Sequence, residues 1–590
     1  MKKAFQVNLE GVLDVLANHL YSNEYVFIRE LLQNATDAIT ARKFKEIDNT
    51  PSIHVELYQH ENQYELIFED NGIGLTLEEV NNFLSSIGSS TKRGYFTESR
   101  DTFIGQFGIG LLSCFMVSEN IVIITKSAGN KPIKWVGRID GTYDVSELEI
   151  EMEIGTKVFL SAKKGYEYLF TEHEISSLLK KYGEILPFPI YFKSNESPSE
   201  LVNRIQPVWE TKYSNSGIKR AAYLEYGRET FHHKFNEYLE INLPNVKGIM
   251  YLLPMAVSPS NRNRNKVFLK NMLLSDEIES ILPRWAFFFK AVLNVTNLRP
   301  TASRESLYED KNLESTRFEL GKAIKRYFKD LALENPDKLA KIFEIHSETF
   351  KMVALEDDEF FDLIINEILF STNKGPRKLN DIKEDVINYI HDLDEFRKVS
   401  QISHSKDITI INSFYGYDYE LLVKLQNKGY KKPIVKVDIG SFFKSFGNLN
   451  ASESEECELL LEVATIALEK FRCKPDIKRF SPAALPSLYY MSESVGFQRT
   501  IDQVSSMSDN LWGGILDTFS QTSSINFSVI CFNYENKLIK KLIKSTNRDV
   551  IYSIVELIYV NSLLLGHHPL NSKEVEVLNN KLYELIEKTV

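Results

Sequence analysis

Phe27-Ile28-Arg29-Glu30-Leu31-Leu32-Gln33-Asn34-Ala35-Thr36-Asp37-Ala38 mixes apolar and polar residues at helical spacing. Placed on a helix at about 100° per residue with Ile28 as zero, Leu32, Ala35 and Ile39 fall within about 40° of Ile28. Glu30, Asn34 and Asp37 fall at about 200°, 240° and 180° on the same wheel. One face is apolar and packs; the other carries two carboxylates and an amide. Such a face is commonly just solvated, so its meaning depends on what surrounds it.

Outward from this helix, Leu9, Val12, Leu13, Leu16 and Leu20 carry an earlier helical pattern, and Ser22 or Asn23 offers a cap for the second helix, which runs to about residue 45. Ile53, Val55 and Leu57 then alternate with polar residues, as do Tyr64, Leu66 and Phe68, with a polar turn at His60-Glu61-Asn62-Gln63. Ile121 to Thr125 and Lys157 to Leu160 read as further strands. Helices followed by mostly antiparallel strands predict an α+β layer domain.

Three short segments sit at the edges of these elements. Glu69-Asp70-Asn71-Gly72-Ile73-Gly74 closes a strand, where a carboxylate can accept from an amino group such as that of adenine. Gly72 and Gly74 permit a tight turn and a close ligand. Gly105-Gln106-Phe107-Gly108-Ile109-Gly110 precedes the helix-like Leu111-Leu112-Ser113-Cys114-Phe115, so backbone N–H groups can face phosphate. Gly155-Thr156 opens the strand Lys157 to Leu160 and can set a hydroxyl beside a base. Each motif alone is weak, since D-N-G is also a common turn and this glycine run is neither a P-loop nor part of a βαβ unit.

In this order the four segments resemble the nucleotide pocket of the ATPase superfamily of DNA gyrase, heat-shock protein 90, histidine kinases and MutL. The helix motif and Gly105 to Gly110 with Leu111-Leu112-Ser113 are similar to the heat-shock protein 90 branch, in its bacterial form. Val267-Phe268-Leu269-Lys270-Asn271-Met272-Leu273-Leu274-Ser275-Asp276, Leu282-Pro283 and Leu298-Arg299-Pro300-Thr301-Ala302-Ser303-Arg304-Glu305-Ser306-Leu307 resemble that family's middle domain. Phe532 to Leu542 and Leu563-Leu564-Leu565-Gly566 look like parts of its dimerisation domain.

The resemblance implies a multidomain α+β chain: a Bergerat-type α/β sandwich ATPase domain over 1–205 with a lid at about 78–110, an α/β middle domain over 206–450, and a small α+β dimerisation domain over 451–590. It implies an ATP-dependent chaperone whose homodimer opens and closes on unfolded client proteins. It assigns Glu30 as general base and Arg304 as the arginine that meets the γ-phosphate. It places Asn34 on Mg²⁺, Asp70 with Thr156 on adenine, Asp37 and Gly74 in support, and Gly105, Gln106, Phe107, Gly108, Ile109 and Gly110 around the phosphates.

Phe83 stands where the family has a pocket asparagine and Ser89 where it has a lid lysine; a one-residue shift would bring Lys92 to that role. Thr301 and Tyr308 replace an asparagine and a glutamine. Pro259 to Lys266 is polar and basic where the family often shows an aromatic, amphipathic client loop.

Composition agrees with this assignment. The chain has 590 residues, 43% of them hydrophobic, room for several cores. Its net charge of -11 argues against a protein that coats nucleic acid. A DNA-processing ATPase of the same superfamily is the alternative, and a histidine kinase would need a phosphoacceptor helix and usually lacks the base glutamate. Cys114, Cys457, Cys473 and Cys531 form no metal-like spacing and predict buried thiols. No secretory h-region follows Lys2-Lys3 and no apolar run is long enough to span a bilayer, so the expected location is the cytoplasm. Ile278 to Val295 is expected to be helical, Asn450 to Glu456 a linker or helix start, and the pairs His232-His233 and His567-His568 ordinary rather than metal sites.

Overall fold

A computed structural model describes residues 24–45, 50–60, 63–84, 110–195, 197–258, 260, 264–301, 303–403, 408–437, 446–490, 527–566 and 568–589. The chain forms two compact units, Met1–Leu339 and Ala340–Val590. The early helical pattern at Leu9 to Leu20, Ser22, Asn23, most of the expected lid and the expected phosphate loop up to Ile109 lie outside the described residues.

In the first unit, helix α1 is Val26–Phe44. Its N-cap is Tyr25, whose side chain makes no capping hydrogen bond. The expected caps, Ser22 and Asn23, lie outside the described residues. An eight-stranded sheet has the order β5-β4-β3-β6-β2-β1-β7-β8. Its strands are β1 (Ile53–His60), β2 (Gln63–Asp70), β3 (Asn120–Lys126), β4 (Ile133–Arg138), β5 (Tyr143–Glu147), β6 (Gly155–Ser161), β7 (Ile190–Ser194) and β8 (Glu200–Leu201). β1 and β2 pair antiparallel down to His60 opposite Gln63, the expected hairpin, while β1 and β7 run parallel. Of the polar stretch 193–199, Lys193 and Ser194 end β7, and Ser197 to Ser199 lead into β8.

The alternation read in the sequence becomes burial on one face. Ile53, Val55, Leu57, Leu66, Phe68, Ile121, Ile123 and Leu160 pack with Ile28, Leu32, Ala35 and Ile39 of α1 and with Ile175 and Leu179 of α2 (Glu172–Gly183). Excluding this apolar area from water, at roughly 25 cal/mol per Å², holds helix to sheet.

A five-stranded sheet follows in the same unit, in the order β12-β11-β13-β10-β9. It comprises β9 (Glu237–Leu243), β10 (Val246–Leu252), β11 (Asn265–Leu269), β12 (Met272–Ile278) and β13 (Phe289–Val295). The expected helix over Ile278 to Val295 is thus wrong. β12 ends at Ile278, a single 3₁₀ turn spans Arg284–Ala286, and Phe289–Val295 is a strand between β10 and β11. A strand buried on both faces reads as a continuous apolar run, which periodicity alone does not separate from a buried helix.

The two sheets share one core. Tyr251, Phe268, Met272 and Leu273 belong to the same buried cluster as the residues of α1 and α2. Lys181 of α2 lies 3.0 Å from Asp276, and Lys266 pairs with Glu184. This docking brings the loop after β13 to the start of α1. Helix α3 (Lys311–Glu334), capped by Asp310, follows that loop.

The second unit holds a parallel sheet, β15-β14-β16, from Ile387–Ile390, Ile410–Asn412 and Ile434–Lys436. It also holds a mixed sheet, β17-β19-β18, from Cys473–Lys478, Ser487–Tyr490 and Ser528–Asn533. The acidic run after Asn450 is a helix, Ala451–Glu456, with a capping box between Asn450 and Glu453. Long helices α4 (Arg548–Leu565) and α5 (Ser572–Thr589) close the chain. All four cysteines are buried. Among the described residues, no helix is long and apolar enough to cross a membrane, and no group of three or more His, Cys, Asp or Glu side chains could hold a metal.

Candidate active site

α1 carries the site along one side. Arg29, Glu30, Gln33 and Asp37 are buried, whereas Asn34, one turn beyond Glu30, is exposed. Burying Glu30 demands partners for its charge. Arg29 Nη2 donates to Glu30 Oε1 at 3.3 Å. Arg304 Nη1 lies 3.4 Å from Oε1 and 3.3 Å from Oε2.

Arg304 reaches Glu30 from a taut loop. Pro300 bridges Leu307, the Thr301 N–H donates to Ser306 O at 2.9 Å, and the Arg304 N–H donates to Thr301 O at 3.0 Å. The backbone of Arg304 is left-handed, with φ 58°. Arg29 Nη2 also donates to Ser303 O at 3.1 Å, which ties α1 to this loop. The two substituted positions nearby have local partners. The Thr301 hydroxyl lies 3.2 Å from that of Ser303, and Tyr308 carries Arg299 over its ring at 4.7 Å.

Gly110 opens the 3₁₀ helix Gly110–Met116 and packs against Glu30, where a Cβ would collide with Oε2. Of the expected phosphate loop, Gly110 is the described residue, and it meets the carboxylate directly. Gly105, Gln106, Phe107, Gly108 and Ile109 lie outside the described residues. So do Ser89, Lys92 and, within Pro259 to Lys266, Pro259 and Asn261 to Asn263. Next to the start of the expected lid segment, Thr76 caps a helical turn through a capping box with Glu79.

At the far end of α1, Asp70 closes β2 directly opposite Thr156 of β6. Its Oδ1 accepts from the Gly72 N–H at 2.8 Å. Burial raises Asp70 from an ordinary carboxylate value to about 7; the Gly72 amide and Arg42 oppose that rise and Glu69 adds to it. The glycines are required here. A Cβ on Gly72 would strike Ala38 of α1, and one on Gly74, at φ 67°, would strike the Lys126 carbonyl.

Sequence reasoning missed two residues here. Thr125 is fully buried; its hydroxyl lies 3.0 Å from that of Thr156 and accepts from the Leu75 N–H at 2.9 Å. Arg42 is buried in the last turn of α1 and donates from Nη1 to the carbonyls of Asn71 at 2.8 Å, Gly72 at 3.4 Å and Ile154 at 3.1 Å. Its signal was legible: on the wheel used for α1, Arg42 falls at about 320°, inside the apolar stripe. Thr125 carried no such mark.

The arrangement gathers a buried carboxylate with two guanidinium groups at one end of a helix and a second buried carboxylate, beside a threonine hydroxyl, at the other. Two family profiles match the chain. One, described as histidine kinase-, DNA gyrase B-, and HSP90-like ATPase, covers residues 21–153. The other, Hsp90 protein, covers residues 200–413. The chain is 25% identical over 614 residues to the chaperone protein HtpG of Fusobacterium nucleatum, covering 96% of each. It is 24% identical over 635 residues to HtpG of Helicobacter pylori, covering 99% of each. It is 25% identical over 640 residues to a mitochondrial TNF receptor-associated protein 1 homolog of Dictyostelium discoideum, covering 100% of this chain and 86% of that protein. None of these matches favours a DNA-processing ATPase. A nucleotide-binding fold, a second Hsp90 region and relatives aligned nearly end to end agree: the chain belongs to the Hsp90 family, of the bacterial HtpG type, and is an ATP-dependent chaperone that hydrolyses ATP.

Proposed function

We propose that Glu30 is the general base of this ATPase and that Arg304 supplies positive charge to the transferring phosphoryl group. The observation that carries this reading is their contact at 3.3 Å between residues 274 positions apart. Glu30 takes a proton from the attacking water, a role typically worth ~10²–10⁴-fold. Arg304 must leave Glu30 to meet phosphate, so the chemistry depends on the placement of its loop. Asp70 accepts the adenine amino group, Thr156 stands beside it, and Asp37 and Gly74 support the pocket. Gly105 to Gly110 wrap the phosphates within a lid at about 78–110.

Asn34 is the proposed Mg²⁺ ligand. Its exposed amide offers one hard, neutral oxygen, which fits a cation that takes its other oxygens from phosphate and water. The ion would supply charge neutralisation on the phosphates; Asn34 would orient it.

The proposed domains are 1–205, 206–450 and 451–590. We place the protein in the cytoplasm as a homodimer held by its last domain, with unfolded or partly folded proteins as clients. Apolar side chains exposed on α4 and α5, including Leu565 and Tyr583, support that dimer contact. The decisive test is ATP turnover and ADP binding by full-length Glu30→Ala. Loss of turnover with binding retained supports the base; unchanged turnover sinks it.

A further inference from the structure

Arg42 has a job that the ATPase reading does not use. It lies on the packing side of α1, where an aliphatic side chain would suit the stripe of Ile28, Leu32, Ala35 and Ile39, yet only 8% of it is exposed. A guanidinium on that side needs acceptors, since burial without them is costly. Its acceptors include main-chain carbonyls from two separate segments. Asn71 and Gly72 belong to the turn after Asp70, and Ile154 leads into Gly155 and Thr156 of β6. The Ile73 N–H donates to Ala38 O at 3.1 Å, so the same turn is pinned to the helix from its other side.

We infer that Arg42 is a positioning residue for the nucleotide: it ties the turn after Asp70 to the segment before Thr156 and so sets how tightly the base end is held. This rests on the reading of Asp70 as the carboxylate that recognises adenine. Arg42 sits twelve residues beyond Glu30, about 18 Å along the helix axis at 1.5 Å per residue. Losing it therefore acts on binding of the base and leaves the Glu30–Arg304 end of the helix in place.

The test uses full-length protein and calorimetry with ADP, with KM and kcat for ATP and the melting temperature measured alongside. Arg42→Met is expected to weaken ADP binding and raise KM about tenfold or more, with kcat falling less than about threefold. Arg42→Lys keeps a donor but not the fork, so it recovers part of that affinity and stays at least about threefold weaker than the parent. Lys45→Met, an exposed neighbour on the same turn, changes none of these. ADP affinity within about twofold of the parent in Arg42→Met overturns the inference, as does a fall in kcat or melting temperature alone. If Arg42→Met does not fold, Arg42→Lys decides by the same twofold limit. Asp70→Asn, run in parallel, separates the two claims. Retained affinity there defeats the adenine reading itself, whereas lost affinity there with parental binding in Arg42→Met defeats only the role of Arg42.

Discussion

Arg304 holds Glu30 at 3.3 Å across 274 residues of sequence, and both side chains are buried. Arg29, adjacent to Glu30, contacts the same carboxylate and also Ser303 beside Arg304. The carboxylate is thus neutralised by one cation from its own helix and one from the loop after β13. In this state Glu30 is an ion-pair partner; to act as a base it must exchange the Arg304 contact for water, and Arg304 must turn to phosphate. Chemistry is therefore linked to whether the loop carrying Arg304 can release one anion and take another.

Removing the carboxylate tests this most directly. Glu30→Ala is expected to lower turnover by about 10²-fold or more, the scale of a positioned general base. ADP affinity should stay within about threefold, because Asp70 and Arg42 lie at the other end of α1. Steady-state phosphate release and calorimetry read the two quantities separately. Equal loss in both would mean that Glu30 shapes the pocket and does no proton transfer.

Arg304→Ala should also lose turnover, by about 10²-fold or more on the scale of catalytic arginines in phosphoryl transfer. Since the two residues touch, the loss in the double variant should fall short of the product of the single losses. Strict multiplicativity of the kcat effects would show that the observed contact has no bearing on the reaction. Arg304→Lys should not restore activity fully, since a point charge on a left-handed backbone position does not reproduce the guanidinium fork.

Much of this site is legible in the amino-acid sequence. The polar side of α1, the hairpin ending in Asp70 and the strand beginning at Gly155 all follow from period and turn chemistry, and the antiparallel register then sets Asp70 opposite Thr156. What is not legible there depends on tertiary contact. Phe289, Ala291, Leu293 and Val295 bury one face of β13, and Val292 is buried on the other between half-buried Lys290 and Asn294, so the run lacks the clean alternation that marks a strand. Thr125 looks like any strand threonine until β3 and β6 pair and bring it to Thr156. Helical periodicity set Asn34 and Asp37 on one face, but their opposite exposures depend on the chain folded over them.

The proposed dimer contact gives a separate outcome in the second unit. Leu565, at the end of α4, is 52% exposed and Tyr583 of α5 is 67% exposed. Large apolar side chains left in water are candidates for an interaction surface. Leu565→Glu combined with Tyr583→Glu is expected to shift full-length protein from dimer to monomer in sedimentation, leaving ADP affinity unchanged. A variant that stays dimeric would place the contact elsewhere.

Asp70 makes nucleotide binding depend on pH. Burial raises its pKa from 3.8 to about 7. A carboxyl whose folded value is raised contributes stability while protonated; that contribution is full below 3.8 and is lost as pH rises through about 7. An amino group donating to Asp70 favours the ionised form instead. Nucleotide affinity should therefore rise with pH through about 7 and fall, by up to about tenfold per unit, below it. Calorimetry with ADP between about pH 6 and 8 reads this directly, and a flat profile would show that the base does not contact an ionised Asp70. In Asp70→Asn the nucleotide-free protein loses the ionisation that disfavours folding above about pH 7. At about pH 8 it should melt no lower than the parent, while ADP no longer raises its melting temperature.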